Sequence, residues 1–200
     1  RLIGAYFSEE YSFEAAALFN PSVVPHPDQT GIPKDTVRFI LSLRGVREGN
    51  ISSVTFRTGL WSGSSLTIDP ASAQAISPRI KYIPGGAPRD PGVRLFCEDA
   101  RDPSEIVIFP ITPAQRHGIE DLRLVRFVDD DGAATFLGTY TAFSGGGIRQ
   151  ELLRTTNFAT IDLTALRGPG TDNKGIELFP RKNGGRYVML GRQDHENIWL

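Results

Sequence analysis

Cysteine is nearly missing from this sequence, as are long apolar runs, helix-period patterns and any excess of charge of one sign. A single cysteine, Cys97, in 200 residues cannot close an internal disulfide or build a cysteine metal cage. No histidine sits beside it in the sequence to activate it, so it reads as a structural or incidental thiol in a reducing compartment. No stretch reaches the roughly 20 consecutive apolar residues that a membrane-spanning helix requires, and no basic segment followed by an apolar core opens the chain. A soluble, cytoplasmic protein without a membrane partner is expected. The 22 basic residues against 23 acidic ones leave a net charge of -1, so no single-sign field exists to draw in nucleic acid. His26, His117 and His195 are too scattered for a metal motif, and neither metal nor organic cofactor is expected.

What the sequence has instead is glycine (21), proline (14) and short β-rich runs between them. The strongest are 37–43, 51–58, 123–128, 134–142, 148–155 and 186–190, and they make the fold class all-β. Beneath them lies a repeat with a period of roughly 50 residues. One unit comprises Asn20 to Val24, Arg38 to Arg44 and Ile51 to Gly59. A second comprises Glu120 to Phe127, Thr135 to Ala142 and Arg149 to Thr156. A third begins with Ile176 to Pro180, Tyr187 to Arg192 and Asn197 to Leu200. This period belongs to the blades of a β-propeller, whereas a β-sandwich gives similar strands without matched strand beginnings. Residues 69–117, which hold the Pro/Gly-rich segment Ile83 to Gly92, are expected to form an irregular excursion between the first two units. The chain opens in what reads as a strand, Arg1 to Phe7, and stops within an apolar run. It is therefore taken as a single partial domain, 1–200, of something longer.

The densest charged cluster beside a strong strand is Glu120-Asp121-Leu122-Arg123. Strand alternation puts Asp121 and Arg123 on one side, facing a central channel, and Glu120 and Leu122 on the other. A carboxylate beside a guanidinium in a channel suits acid/base work on a sugar, while the plainer alternative is a structural Asp121–Arg123 pair tying a turn to a strand. Asn20, Asp28 and Gln29 near the first unit's opening strand, and Asn173, Lys174 and Glu177 at the third, would add the donors and acceptors that sugar hydroxyls need. Arg149 and Arg154, with Lys174, are candidates for a cationic patch that binds an oxyanion. Ser144 to Gly147 lacks the helix and lysine of a phosphate loop and reads as a hairpin turn.

At Gly118-Ile119-Glu120-Asp121-Leu122-Arg123, at Leu137 to Ala142, at Asn173 to Lys182, and again at Gly185 to Arg192 and Asn197 to Leu200, the chain resembles family 130 of the glycoside hydrolases. The resemblance runs from about Phe7 to Leu200 and is weakest in residues 69–105. It implies a five-bladed propeller, of which about three blades would be present, acting on β-mannosides by inverting phosphorolysis or hydrolysis. It assigns the proton donor to Asp121, acting through a hydroxyl of the bound mannose. Substrate contacts are expected, from the polar strand beginnings and the charged cluster described above, at Asn20, Asp28, Glu120, Arg123 and Glu177, and also at Arg192. Phosphate contacts fall to Lys174 and to Arg149 or Arg154, with inorganic phosphate as co-substrate. Leu122 stands where the family's motif has proline, and Gly191 where a histidine is common. The expected partner is an oligosaccharide or mannoside, with a homo-oligomer left open and a non-catalytic sugar-binding propeller as the rival.

Overall fold

Runs of β-branched and aromatic residues broken by glycine, proline and asparagine have one economical solution, short strands joined by tight turns. The computed structural model of the chain describes residues 13–47, 49–87, 90–194 and 196–200. The strand expected at Arg1 to Phe7, as well as His195, lies outside them. Among the described residues there are strands and two 3-10 turns, with no α-helix, and thus none that could cross a membrane.

The first unit is an antiparallel meander of β1 (Ala17–Pro25), β2 (Val37–Val46), β3 (Ser52–Trp61) and the short edge strand β4 (Leu66–Ile68). After it come β5 (Arg79–Ala87), β6 (Asp90–Phe96) and β7 (Val107–Ile108). The second unit is the meander β8 (Gly118–Val128), β9 (Ala134–Phe143), β10 (Ile148–Thr155) and β11 (Thr160–Ala165). The turn Ser144 to Gly147 joins β9 to β10 as a hairpin, closed by the Ser144 amide on the Gly147 carbonyl.

The irregular excursion expected over 69–117 is not what forms. β5 and β6 make a hairpin, and β6 continues the second meander by pairing with β11 from Thr160↔Phe96 to Leu163↔Val93. Arg94 clamps Asp162 across that junction, its Nε and one terminal nitrogen donating at 2.6 and 2.7 Å. Pro84 and Pro91 are locally indistinguishable from loop residues. They fall where the β5–β6 register shifts between Ile83 and Ala87, a bulge in which a strand tolerates residues that cannot donate.

The two meanders are joined edge to edge by a single parallel pair, Ser52↔Gly118, and pack through a shared core. Val24, Ile40, Val54 and Phe56 from the first unit meet Leu122, Leu124, Phe136, Tyr140 and Leu153 from the second. The other face of the second meander carries Phe127 and Leu137, which Leu178 covers. With both faces covered, β9 is buried from Phe136 to Ala142 and reads as a continuous rather than alternating run. The third unit is much shorter than expected. Among the described residues it amounts to β12 (Glu177–Leu178) against β13 (Met189–Leu190), plus the isolated bridges Asn183↔Arg186 and Gly191↔Trp199, and the described strands do not close into a ring.

Gly59 lies where β4 and the Phe39 ring press on β3. A Cβ there would sit 2.3 Å from the Thr67 carbonyl oxygen and 2.5 Å from the ring. Backbone has to move to relieve such a clash, so Gly59→Ala is expected to lower unfolding free energy by about 1–3 kcal/mol in urea denaturation. A loss under about 0.5 kcal/mol would mean that β4 is not held against β3 as described.

Candidate functional site

The two opening strands carry the same irregularity at matching places. β1 shifts register between Phe19 and Ser22 and β8 between Glu120 and Arg123, and within these bulges Asn20 and Asp121 take φ of 51° and 57°. Asn and Asp are the non-glycine residues that best tolerate the left-handed region, and a bulge re-aims the side chains around it. The simple alternation expected for β8 is therefore wrong. Ile119 and Leu122 both enter the core, while Glu120 and Asp121 both reach the guanidinium of Arg44. Gly138 on β9 makes room for this. A Cβ there would come within 2.7 Å of Leu122 Cδ1 and 2.8 Å of Leu124 Cδ2.

Arg44 sits on β2 opposite Phe19 in the β1–β2 register, with its guanidinium over the Phe19 ring at 5.1 Å. One terminal nitrogen donates to Glu120 Oε1 at 2.7 Å and the other to Asp121 Oδ1 at 3.3 Å. Asn20 Nδ2 donates to the same Asp121 Oδ1. Lys174 Nζ donates to Glu120 Oε2 at 2.5 Å and lies over the Phe143 ring at 5.8 Å. Glu120 is thus almost wholly buried with each oxygen bonded to a cation. Asp121 Oδ2 has no partner among the described residues, and the side chain is 30% exposed. Arg44 Nε is buried with no hydrogen-bond partner. The cluster links all three units, because β1 and β2, β8 and the Asn173-Lys174 loop each contribute a side chain.

Asp121 does form an ion pair, but with Arg44 rather than Arg123. Arg123 instead approaches Glu177 at 3.7 Å at the exposed rim. Sequence reasoning missed Arg44, and the available signal was the hairpin register, which sets it beside the bulge of β1. Of the residues proposed from the sequence, Asn20, Glu120, Asp121 and Lys174 come together. Gln150 Nε2 donating to the Asn173 carbonyl at 2.6 Å anchors the loop that delivers Lys174. Arg192 is exposed in the neighbouring segment, where Asn173 Nδ2 donates to the Gln193 carbonyl.

Arg149 and Arg154 lie at opposite ends of β10, paired through β9 with Ile119 and Val125 of β8 respectively, so Arg149 is at the Asp121 end. Arg149 is bonded to the buried Glu151 at 2.7 and 2.5 Å, while Gln115 and Tyr140 each donate to the other oxygen of that carboxylate at 2.6 Å. Burial first, then the Glu151 charge, pushes the Tyr140 hydroxyl well above its ordinary range and keeps it a donor. Asp28 is not brought to the cluster. It lies beyond the far end of β1, where the Thr30 amide first, then the Thr30 hydroxyl, hold its carboxyl below the usual range. Cys97 is buried, and burial, with a smaller contribution from Glu98, pushes its thiol up to about 12, as befits an inert structural thiol.

A buried carboxylate bridged between two cations is costly to break from one side, since removal of a partner strands a charge. Arg44→Met is expected to lower stability by about 3 kcal/mol, and Glu120→Gln in the same chain to restore part of that loss. Additive losses in this double-mutant cycle, read by urea denaturation, would show that the two side chains do not interact.

No family model matches the chain, and no curated protein matches its sequence. Among solved structures, the β-1,2-mannobiose phosphorylase from Listeria innocua, in its complex with β-1,2-mannobiose, aligns with a TM-score of 0.41 and 15% sequence identity. The alignment covers 86% of this chain and 52% of that one, so the chain spans about half the length of the protein it matches.

Proposed function

We propose that this chain supplies successive blades of a β-propeller and cleaves a β-mannosidic bond by inverting phosphorolysis, with Asp121 as the proton donor. The observation that carries the reading is the bulged start of β8, which presents one open carboxylate oxygen, Asp121 Oδ2, beside a buried and doubly paired Glu120. The motif resemblance at 118–123 and at 173–182 supports it. In this reading protonated Asp121 delivers its proton, through a hydroxyl of the bound mannose, to the glycosidic oxygen as the C–O bond breaks. A phosphate oxygen bonds the anomeric carbon from the opposite face, giving mannose 1-phosphate and the released sugar with a free hydroxyl.

Phosphate is favoured over water because hydrolysis with inversion needs a second carboxylate as base. Glu120 suits that role poorly, with both of its oxygens bound to cations. Lys174, half exposed at the rim, is the cation best placed to meet the phosphate, and Arg149 is nearer to it than Arg154. Asn20 and Arg44 would orient Asp121, Glu120 would fix Arg44 and Lys174 in place, and Arg123, Glu177 and Arg192 would meet the sugar at the rim. The second reading is a sugar-binding site without turnover, favoured by the Arg44–Asp121 ion pair, which would serve equally to fix an acceptor for a sugar hydroxyl.

Asp121→Asn keeps size and shape but removes the transferable proton. The expected outcome is a mannoside turnover lowered by about 10²–10⁴, with a melting temperature close to that of the wild type. Turnover that needs added phosphate supports phosphorolysis, and an equal rate without phosphate supports hydrolysis. Unchanged turnover together with a clearly lower melting temperature would make Asp121 a structural residue.

A further inference from the structure

A polar cavity lies at the end of the molecule away from Asp121. It has a volume of about 470 Å³ and is walled by the end of β1, the start of β2, the β3–β4 strand ends, the stretch after β6 and the β10–β11 turn. Asn20, in the bulge of β1, and His26, the residue just past its end, are separated by up to about 20 Å at 3.3 Å per residue. The cavity is therefore a separate site rather than an extension of the Asp121 cluster.

Three carboxylates in its wall are each fixed through one oxygen. Asp28 Oδ1 accepts from the Thr30 amide and hydroxyl, Asp69 Oδ2 from the Thr58 hydroxyl at 2.8 Å, and Asp102 Oδ1 from the Ser104 amide at 2.9 Å. The second oxygens of Asp69 and Asp102 have no partner among the described residues, and that of Asp28 has only Arg38 at 4.0 Å. Two guanidiniums share the wall. Arg38 makes that one long contact, and the Arg101 side chain has no described partner. Glu98 is drawn outward to Arg79 at 3.1 Å. The bulky Phe158, at the β10–β11 turn, holds φ of 62° at the same wall, a conformation rare outside constrained sites.

These groups discriminate between ligand classes. An anion would face the fixed carboxylates, and a cation would face Arg38 and Arg101. A hydroxyl both donates and accepts, so it can satisfy a carboxylate oxygen and a guanidinium at once without a charge penalty. The acceptors are also preoriented, which reduces the entropy lost on binding, and the volume falls within the range of small-molecule sites. We infer that this cavity binds a neutral polyhydroxylated molecule, a sugar or cyclic polyol, independently of the Asp121 site.

The test is an NMR titration of isotope-labelled protein with glucose and with myo-inositol, using putrescine and inorganic phosphate as the charged alternatives. At least one polyol is expected to shift the amides of Arg101, Asn157 and Ala159 saturably, while those of Glu120 to Arg123 stay in place. Arg101→Ala and Asp69→Asn should each weaken this binding by about tenfold, and Asp121→Asn should leave it unchanged. Arg101→Ala removes an exposed side chain, so it should melt like the wild type and keeps the test valid if Asp69→Asn fails to fold. The inference is overturned if neither polyol saturates by about 100 mM. It is also overturned if only putrescine or phosphate binds, if both pocket variants bind as tightly as the wild type, or if Asp121→Asn abolishes the shifts.

Discussion

The apolar faces of two antiparallel runs can be taken from water here only by pressing them against one another. The core that results, with Phe56 and Ile40 on one side and Leu122, Tyr140 and Leu153 on the other, sets where everything else lies. It brings the starts of β1 and β8 side by side, close enough for the Ser22 hydroxyl to accept from the Leu124 amide at 2.9 Å. Burial of this kind is non-directional, so the positions of polar groups come from devices layered upon it. Those devices are the bulges, the ion pairs and the register of the hairpins.

The bulges convert a packing arrangement into a chemical one. Each holds one residue in a left-handed conformation at a cost on the order of 1–3 kcal/mol, which persists only because the flanking residues are anchored. Leu122 and Leu124 in the core and the absence of a side chain at Gly138 provide that anchoring. The return is that Glu120 and Asp121, neighbours that a regular strand would aim apart, converge on Arg44. Glu120 then acts as the fixed centre between two cations, and Asp121 keeps one oxygen open on a partly exposed side chain.

The two ends of the structure differ in how their charges are arranged. At the Asp121 end opposite charges lie in direct contact, across elements distant in sequence. At the Asp28 end each carboxylate is fixed by a nearby backbone amide or hydroxyl and only loosely approached by arginine. The network of Tyr140, Gln115, Glu151 and Arg149 is a third arrangement, buried except at the partly exposed Arg149, and it ties the turn before β8 to the β9–β10 hairpin. Such a network stabilises only while complete, which suits a structural support more than an oxyanion clamp.

Much of this was legible in the residues. The strands of the first two units, the hairpin at Ser144 to Gly147 and the matched openings at Asn20 and Glu120 follow from β-branched runs, turn residues and period, all of which are local properties. Asp121 stood out because a charged cluster abuts a strong strand. The excursion over 69–117 was misread, because proline and glycine in a bulge look locally like a loop, and only the pairing of β6 with β11 makes that segment a strand. Tertiary structure alone decided that Asp121 meets Arg44 rather than Arg123 and that Asp28 belongs to a different end from Asp121. Propensity and periodicity act over a few residues and so determined the strands. The choice of ion-pair partner depends on register shifts and on contacts across about 50–100 residues of sequence, which one inserted residue in a strand is enough to reverse.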